Sequence, residues 1–594
     1  MNVMTAAKPD PASDRQGADW IAPDCHGQNF YDIDPGLQAI LGQYLPADLN
    51  AHVAPRLRAL GALSGGLLDD LSRQADRHKP QLHYRDRFGR DEDWIEYHPS
   101  YREMERIAYE DYGLNRISQT GGVLGWAEPL GPVVKYAIQY LFAQSEFGLM
   151  CPISATDTTA ILVNRYAQPE IRERYLPRML AEKRPEIWTG AQFMTERAGG
   201  SDVGNCEVEA RFDGQTWRIH GDKWFCSTTD GDLILMLARP AGAGSGSRGL
   251  SLFLVPRRLE DGRRNAYRIV RLKDKLGSRS MASGEVRFEG AEAYLMGEES
   301  RGLKQMMDQV NLSRISHGVR AAAMMRRCLN EAMTVARNRV AFGRAIVDHP
   351  LMRRQLMKIM LPTEQALSVA LFAAAVMARA DAGDEQAQRT LRIVTPLLKF
   401  RTARDNVKVA TAAMEARGGN GYIEDWVNAR LVRDAHLGVL WEGTSSINAL
   451  DITGRAIPKE MAHEALGETL HDTLDKADAV PGQFRGELSA LVDRAVRYAG
   501  EVASKAENEP FARQASDALY HAMSAVLLAN EGALMAEQTG DARRLLLARL
   551  AIDHRLRPRD PLSLDDGLFE LAAANLLLSD APAGLDQVAA ALAA

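Results

Sequence analysis

Glu442 stands between an indole and a glycine in the run Trp441-Glu442-Gly443-Thr444-Ser445-Ser446, directly after the apolar stretch Leu437-Gly438-Val439-Leu440. A carboxylate so placed loses hydration, and desolvation raises its proton affinity toward the range suited to removing a proton from carbon. Local sequence alone also allows a solvated surface glutamate. A second segment, Gln192 to Gly204 (QFMTERAGGSDVG), sets three small residues, Ala198, Gly199 and Gly200, between the hydroxyls of Thr195 and Ser201. Small residues admit close backbone approach, so this segment reads either as a cradle for a phosphate or ring edge, or as a strand-to-turn connection with capping residues. A third, Gly221 to Ser227 (GDKWFCS), puts Trp224 and Phe225 beside Cys226 and Ser227. Such an aromatic pair either stacks on a planar group or packs in a core, and core is the commoner outcome. The thirteen histidines are scattered without H-x-x-x-H or H-E-x-x-H spacing, so no metal site is expected, and His317 and His349 read as hydrogen-bonded core or surface residues. No G-x-S-x-G is present, which removes the commonest serine hydrolase chemistry.

The elements that must hold these residues follow from pattern. The chain has 594 residues, 46% hydrophobic, 25% charged and 7% aromatic, which excludes a disordered, collagen-like or disulfide-dense protein. Its formal charge of −6 argues against a globally basic nucleic-acid binder. Five cysteines, at 25, 151, 206, 226 and 328, form no C-x-x-C pair, and a reducing, cytoplasmic setting is expected. Residues 1–34 are expected to be a flexible N-terminal tail, since the first of them carry Pro, Asp and Ser without the apolar core of a signal peptide or anchor. The most apolar run, Ala366 to Ala378, is ended by Arg379 and reads as a buried helix, so no membrane partner is expected.

Residues 35–185 show helical periodicity, with Leu37, Ile40, Leu41 and Tyr44 at three- and four-residue spacing. Residues 186–300 change texture: WRIHGDKWF, DLILMLAR, LSLFLVP, YRIVRL and GEVRFEG are short strands, seven or eight in all, and Pro240 to Gly249 between two of them predicts a hairpin loop. Helical period returns over 301–455, long enough for bundle helices, and continues into a helical C-terminal extension at 456–594, punctuated by Pro458 and Pro481-Gly482. From Arg455 onward 14 Lys/Arg stand against 22 Asp/Glu, a net of about −8. The expected fold class is α+β, mainly α: a helical N-terminal domain, a small central β-barrel or sandwich, a four-helix-bundle domain and the helical extension.

Taken in order, the motifs resemble the acyl-CoA dehydrogenase flavoprotein family. They are Thr195-Glu196…Gly200-Ser201-Asp202, Lys223-Trp224, Lys275-Leu276-Gly277-Ser278-Arg279, Arg339…Phe342-Gly343, Gly418-Gly419-Asn420-Gly421 and Glu442-Gly443-Thr444, spanning about residues 140–455. Within the family the sequence is most similar to the AidB-like, adaptive-response branch, through SEFGLMCPISAT, TERAGGSDV, GDKWFCS, RLKDKLGSRSMAS, MMRR, MEARGGNGY and WEGTSSI.

The resemblance implies an FAD-dependent dehydrogenase in which Glu442 takes the α-proton of an acyl-CoA thioester while a β-hydride leaves for flavin N5, with thioester enolate stabilised by the Glu442 amide. By the same resemblance Phe193, Met194, Thr195, Ser201, Trp224, Phe225, Cys226, Ser227 and Thr444 contact FAD. Arg339, Phe342, Gly418 and Gly419 reach a neighbouring subunit's FAD, and Ser201, Asn311, Arg314 and Gly443 contact the thioester. Implied partners are an electron-transfer flavoprotein and further copies of the chain, as dimer or tetramer, in fatty acid metabolism. The alternative it implies is a flavin-containing stress protein with weak dehydrogenase activity and DNA affinity. DNA is not favoured, because the extension is acidic and Arg543, Arg544, Arg549, Arg555, Arg557 and Arg559 form its one basic stretch. Cys226, Glu415, Pro350 and Asn311 depart from the family's usual Thr, Gln, Gln and Asp, which suggests a narrow or unusual thioester, or modest turnover.

Overall fold

The computed structural model describes residues 21–560, 562–564 and 567–593. Residues 1–20 of the expected tail lie outside the described residues, but residues 21–34 are not tail. Cys25, Phe30 and Asp34 are fully buried; the Cys25 thiol donates to Glu331 Oε1 at 3.0 Å, and Asp34 Oδ2 accepts from the Tyr140 hydroxyl at 2.8 Å. The segment lies against a helix with glycine at its contact points: a Cβ on Gly65 would stand 1.7 Å from the Gln28 carbonyl oxygen. Short-range sequence pattern does not reveal such a docking.

Asp34 then caps α1 (Pro35–Tyr44), accepting from Leu37 N at 3.0 Å with proline at the first helical position. The N-terminal helices continue as α2 (Ala47–Gly65) and α3 (Leu67–Arg77). A hairpin that helical periodicity did not predict follows, β1 (Gln81–Arg85) and β2 (Asp91–Glu96), antiparallel with Gln81 opposite Glu96. Its cause is local: Asp86 Oδ1 accepts from the amides of Phe88 and Arg90, Gly89 turns at φ +78°, and His83 stacks on Trp94 at 4.3 Å. Helices α4 (Pro99–Arg106), α5 (Pro132–Ala143), α6 (Met150–Tyr166) and α7 (Pro169–Met179) complete this part.

Seven strands form the central sheet: β3 (Gly190–Phe193), β4 (Glu209–Phe212), β5 (Trp217–Ser227), β6 (Leu233–Pro240), β7 (Ser251–Pro256), β8 (Tyr267–Leu272) and β9 (Ser283–Met296). Pairing runs β6-β4-β5-β9-β7 and back to β6, closing a small barrel, with β3 added on β6 and β8 on β9. The glycine-rich 240–249 segment is the expected hairpin loop, its strands in register from Leu233–Pro256 to Ala238–Ser251. The barrel has its own apolar core.

Long helices α8 (Gly302–Asn338), α9 (Pro350–Asp381) and α10 (Glu385–Arg417) pack on one another, α8 leading to α9 through a short hairpin, Val340–Ala341 with Arg344–Ala345. Helices α11 (Val427–Ala435), α12 (Ser445–Asp451) and α13 (Ile457–Glu460) follow, and Met461 in left-handed backbone, φ +50°, ends the run. The extension comprises α14 (Ala462–Asp475), α15 (Gly482–Ser504), α16 (Ala512–Thr539), α17 (Arg544–Arg555), α18 (Gly567–Leu577) and α19 (Leu585–Ala593). It shares one continuous apolar core with the N-terminal helices and the bundle. Among the described residues one helix, α9, is long and apolar enough to cross a membrane, and 89% of its apolar window is buried in the fold.

Candidate active site

Glu442 lies in the turn before α12, and both it and Gly443 have left-handed backbone, φ +55° and +91°. For a glutamate that conformation costs roughly 1–3 kcal/mol and persists only where its surroundings impose it. Three buried donors do so here. Arg314 Nε donates to the Glu442 carbonyl at 3.2 Å, Lys399 Nζ to the Gly443 carbonyl at 2.6 Å, and Asn448 Nδ2 to the same oxygen at 2.8 Å. Thr444 closes the turn as N-cap of α12, its hydroxyl accepting from Ile447 N. Arg314 is held in turn by Asn311 Oδ1 at 3.2 Å and Asp451 Oδ2 at 2.7 Å.

The Glu442 side chain points at one face of α8, where Ser313, His317 and Arg320 recur at helical spacing. The Ser313 hydroxyl donates to Oε1, and Arg320 Nη2 is 3.7 Å from the same oxygen. Oε2 is buried and meets no donor among the described residues. Burial pushes the carboxyl above the ordinary glutamate range, while Arg320, Ser313, Lys399 and Arg314 pull it back. Burial likewise brings the Lys399 ammonium down to about 7 despite nearby Glu442. Trp441 Nε1 donates to His317 Nδ1 at 2.9 Å, and burial with Arg320 and Lys399 nearby holds that imidazole neutral.

A second group gathers where β3 leaves the barrel. Trp224 N donates to the Thr195 carbonyl at 2.9 Å, and buried Lys223 bridges the Met194 carbonyl and Glu196, whose Oε1 also takes the Cys206 thiol. Gly200 passes directly under Thr195, since a Cβ there would stand 2.6 Å from Thr195 Oγ1. Trp224 is half-buried with Lys273 Nζ 3.3 Å over its ring, and Phe225 is 60% exposed. The pair is therefore not core, contrary to what its strand position suggests; the register shift between Lys223 and Cys226 turns it outward. Met194 and Thr195 are half-buried, Ser201 is exposed, and the Ser227 hydroxyl lies 3.5 Å from that of Ser283. Phe193 and Cys226 send their side chains into the barrel core, leaving only backbone for a ligand. A half-open indole, hydroxyls at its edge and a glycine loop admitting close approach fit a flat ring carrying a phosphate arm.

A third group stands apart, with no hydrogen bond or ion pair to the first two among the described residues. Arg339 Nη1 donates to the Arg417 carbonyl at 3.4 Å and closes over Gly418, whose φ is +76°. Phe342, at the tip of the 340–345 hairpin, is 97% exposed, and Gly419 and Tyr422 are exposed beside the same turn.

Residues 21–184 match the N-terminal domain of the adaptive response protein AidB, residues 191–291 the acyl-CoA dehydrogenase middle domain and residues 300–457 the acyl-CoA dehydrogenase C-terminal domain. Escherichia coli AidB is 34% identical over 442 residues, 72% of this chain and 76% of that protein. The chain belongs to the acyl-CoA dehydrogenase family. Acyl-CoA dehydrogenase family member 11 of Caenorhabditis elegans is 29% identical over 552 residues, 90% of this chain and 88% of that protein. The crystal structure of C. elegans ACDH-11 in complex with C11-CoA superposes with a TM-score of 0.84 at 27% identity, covering 94% and 96% of the two chains.

For this acyl-CoA dehydrogenase family member, sequence reasoning missed Ser313, Arg320 and Lys399. The α8 residues were findable in principle, because 313, 317 and 320 share a face with Arg314's neighbourhood. Nothing local marks Lys399.

Proposed function

We propose that the protein is an FAD-dependent acyl-CoA dehydrogenase in which Glu442 removes the α-proton of the thioester. The observation carrying this reading is the Glu442 carboxyl itself: desolvated, with Oε2 unpaired, and fixed by Arg314 and Lys399 through the backbone on either side. Bound FAD would supply the hydride acceptor, and Met194, Thr195, Ser201, Trp224 and Ser227 would hold it. Glu442 takes the proton at Oε2, Ser313 keeps Oε1 oriented, and the Glu442 amide is offered to the thioester carbonyl, where negative charge builds. Trp441 and Phe147, ring centroids 5.8 Å apart, exclude water from the carboxyl. The C11-CoA bound by the nematode relative supports a thioester here. Electrons pass on to an electron-transfer flavoprotein in this reading, and the setting is the reducing cytoplasm, supported by five free cysteines.

The Arg339–Phe342–Gly418 face serves a second copy of the chain, so the working unit is a homo-oligomer. DNA is a poor partner, although the AidB relationship raises it: Arg543 is taken by Asp541, Arg544 is buried, Arg549 and Arg557 share Asp553 and Glu487, and Arg559 pairs with Glu570, which leaves exposed Arg555 of that stretch. Phosphate neutralisation needs free cations. Anaerobic titration of the FAD-loaded protein with acyl-CoA thioesters tests the reading. Bleaching of the oxidised flavin band that Glu442→Gln abolishes, with FAD retained, is expected; equal bleaching by that variant overturns the assignment.

A further inference from the structure

Arg320 carries two donors that the protein does not use. Its side chain is fully buried, Nε donates to the Ser316 carbonyl of its own helix at 3.3 Å, and among the described residues neither Nη1 nor Nη2 meets an oxygen or nitrogen acceptor, the weakly accepting Cys151 sulfur standing beside them. The one nearby carboxylate, Glu442, stands 3.7 Å from Nη2, beyond hydrogen-bond reach, with its closer oxygen already taken by Ser313. The guanidinium lies over the rings of Trp441 and Phe147, at 4.9 and 5.5 Å, and the Cys151 thiol is alongside. Aromatic faces moderate the charge but accept no bidentate hydrogen bond. A buried guanidinium with both terminal nitrogens idle is costly, and such groups persist where a ligand completes them.

Both idle nitrogens belong to one planar fork, the geometry that takes a carboxylate through two parallel hydrogen bonds. The carbon that Glu442 deprotonates sits about 3–3.5 Å from its carboxylate in a reactive arrangement, and Arg320 Nη2 is 3.7 Å from Oε1 of the same carboxylate. A group bound by Arg320 is thus only a few bonds from the α-carbon. We propose that Arg320 is a specificity residue, binding the free carboxylate at the far end of a short acyl chain whose thioester end is served by Glu442. The inference rests on the reading of Glu442 as the base. It makes the substrate class a dicarboxylic mono-thioester.

The test compares glutaryl-CoA with pentanoyl-CoA, equal in carbon number and different only at the far end. Binding is measured calorimetrically on FAD-loaded Glu442→Gln protein, where no turnover occurs, and flavin bleaching on the unaltered protein. Glutaryl-CoA should bind about tenfold or more tightly than pentanoyl-CoA, and Arg320→Met should erase that preference, with Arg320→Lys restoring part of it. Arg320→Gln, read the same way and checked by near-ultraviolet circular dichroism, replaces Arg320→Met should the latter fail to fold. Equal or tighter binding of pentanoyl-CoA, or a preference that survives removal of Arg320, overturns the inference. Bleaching by pentanoyl-CoA without any carboxylate preference would leave the dehydrogenase reading standing and this inference alone refuted.

Discussion

At the scale of residues, the candidate site is a competition over one proton. Burial raises the Glu442 carboxyl, and Arg320, Ser313, Lys399 and Arg314 oppose it. Proton abstraction needs the ionised form, so the rate of flavin reduction should climb with pH through a midpoint above the ordinary glutamate value. Ser313→Ala removes a hydrogen bond to the charged form and must raise that midpoint further, moving the acid limb to higher pH while the alkaline plateau is less affected; rapid anaerobic mixing across pH reads it. A limb that stays put, or moves down, would remove Ser313 from the proton's environment. Glu442 was legible from the chain because an indole, a glycine and an apolar run flank it. Arg320, Ser313 and Lys399 were not, since they come from α8 and α10 and meet Glu442 across long separations, 129 residues for the Ser313 contact. Pairing over such distances leaves no mark on neighbouring residues in sequence.

At the scale of elements, the loop between β8 and β9 ties the barrel to the helices. Lys275 Nζ gathers it by donating to the carbonyls of Ser278 and Met281 at 2.7 and 2.9 Å, and Ser278 N donates to Asp434 Oδ1 at 2.6 Å on α11. Gly277 allows this approach: a Cβ there would stand 2.6 Å from the Arg433 carbonyl and from Asp434. Gly277→Ala should therefore push the loop off α11, at a cost of about 1–3 kcal/mol, lowering the unfolding midpoint and loosening FAD, both followed by flavin fluorescence during heating. Unchanged fluorescence and midpoint would show that the loop has room to give. Strand and helix types were readable from period, and the barrel's hairpin loop was too. The β1–β2 hairpin escaped because its strands are polar and it interrupts helices, and the 21–34 segment escaped because glycines on α2, not its own residues, make its berth.

At the scale of the molecule, two features stand out. The hairpin tip with Phe342 97% and Val340 70% exposed is apolar surface that a second copy would cover. Phe342→Asp should shift the mass measured by light scattering toward the monomer and weaken FAD retention; an unchanged mass would place the interface elsewhere. The second feature is a buried ionic chain: Asp34 to Arg326 at 3.0 Å, Arg326 to Glu364 at 2.6 Å, Glu364 to Arg544 at 2.6 Å, and Arg544 to Glu531 at 2.7 Å. Arg544→Met strands Glu531 and leaves Glu364 with Arg326 alone, which costs about 3–5 kcal/mol by chemical denaturation near neutral pH. With the cation gone both carboxyl groups rise in pKa, the native state then binds more protons than the unfolded one, and the deficit should shrink as pH falls. The same chain has a meaning for synthesis. Asp34 leaves the ribosome early, whereas Arg544 and Glu531 follow roughly 500 residues later, about 25–100 s at ordinary elongation rates. For that interval the nascent N-terminal segment carries charges and an apolar face whose covering helices do not yet exist, so its burial can be completed only in the final stretch of translation.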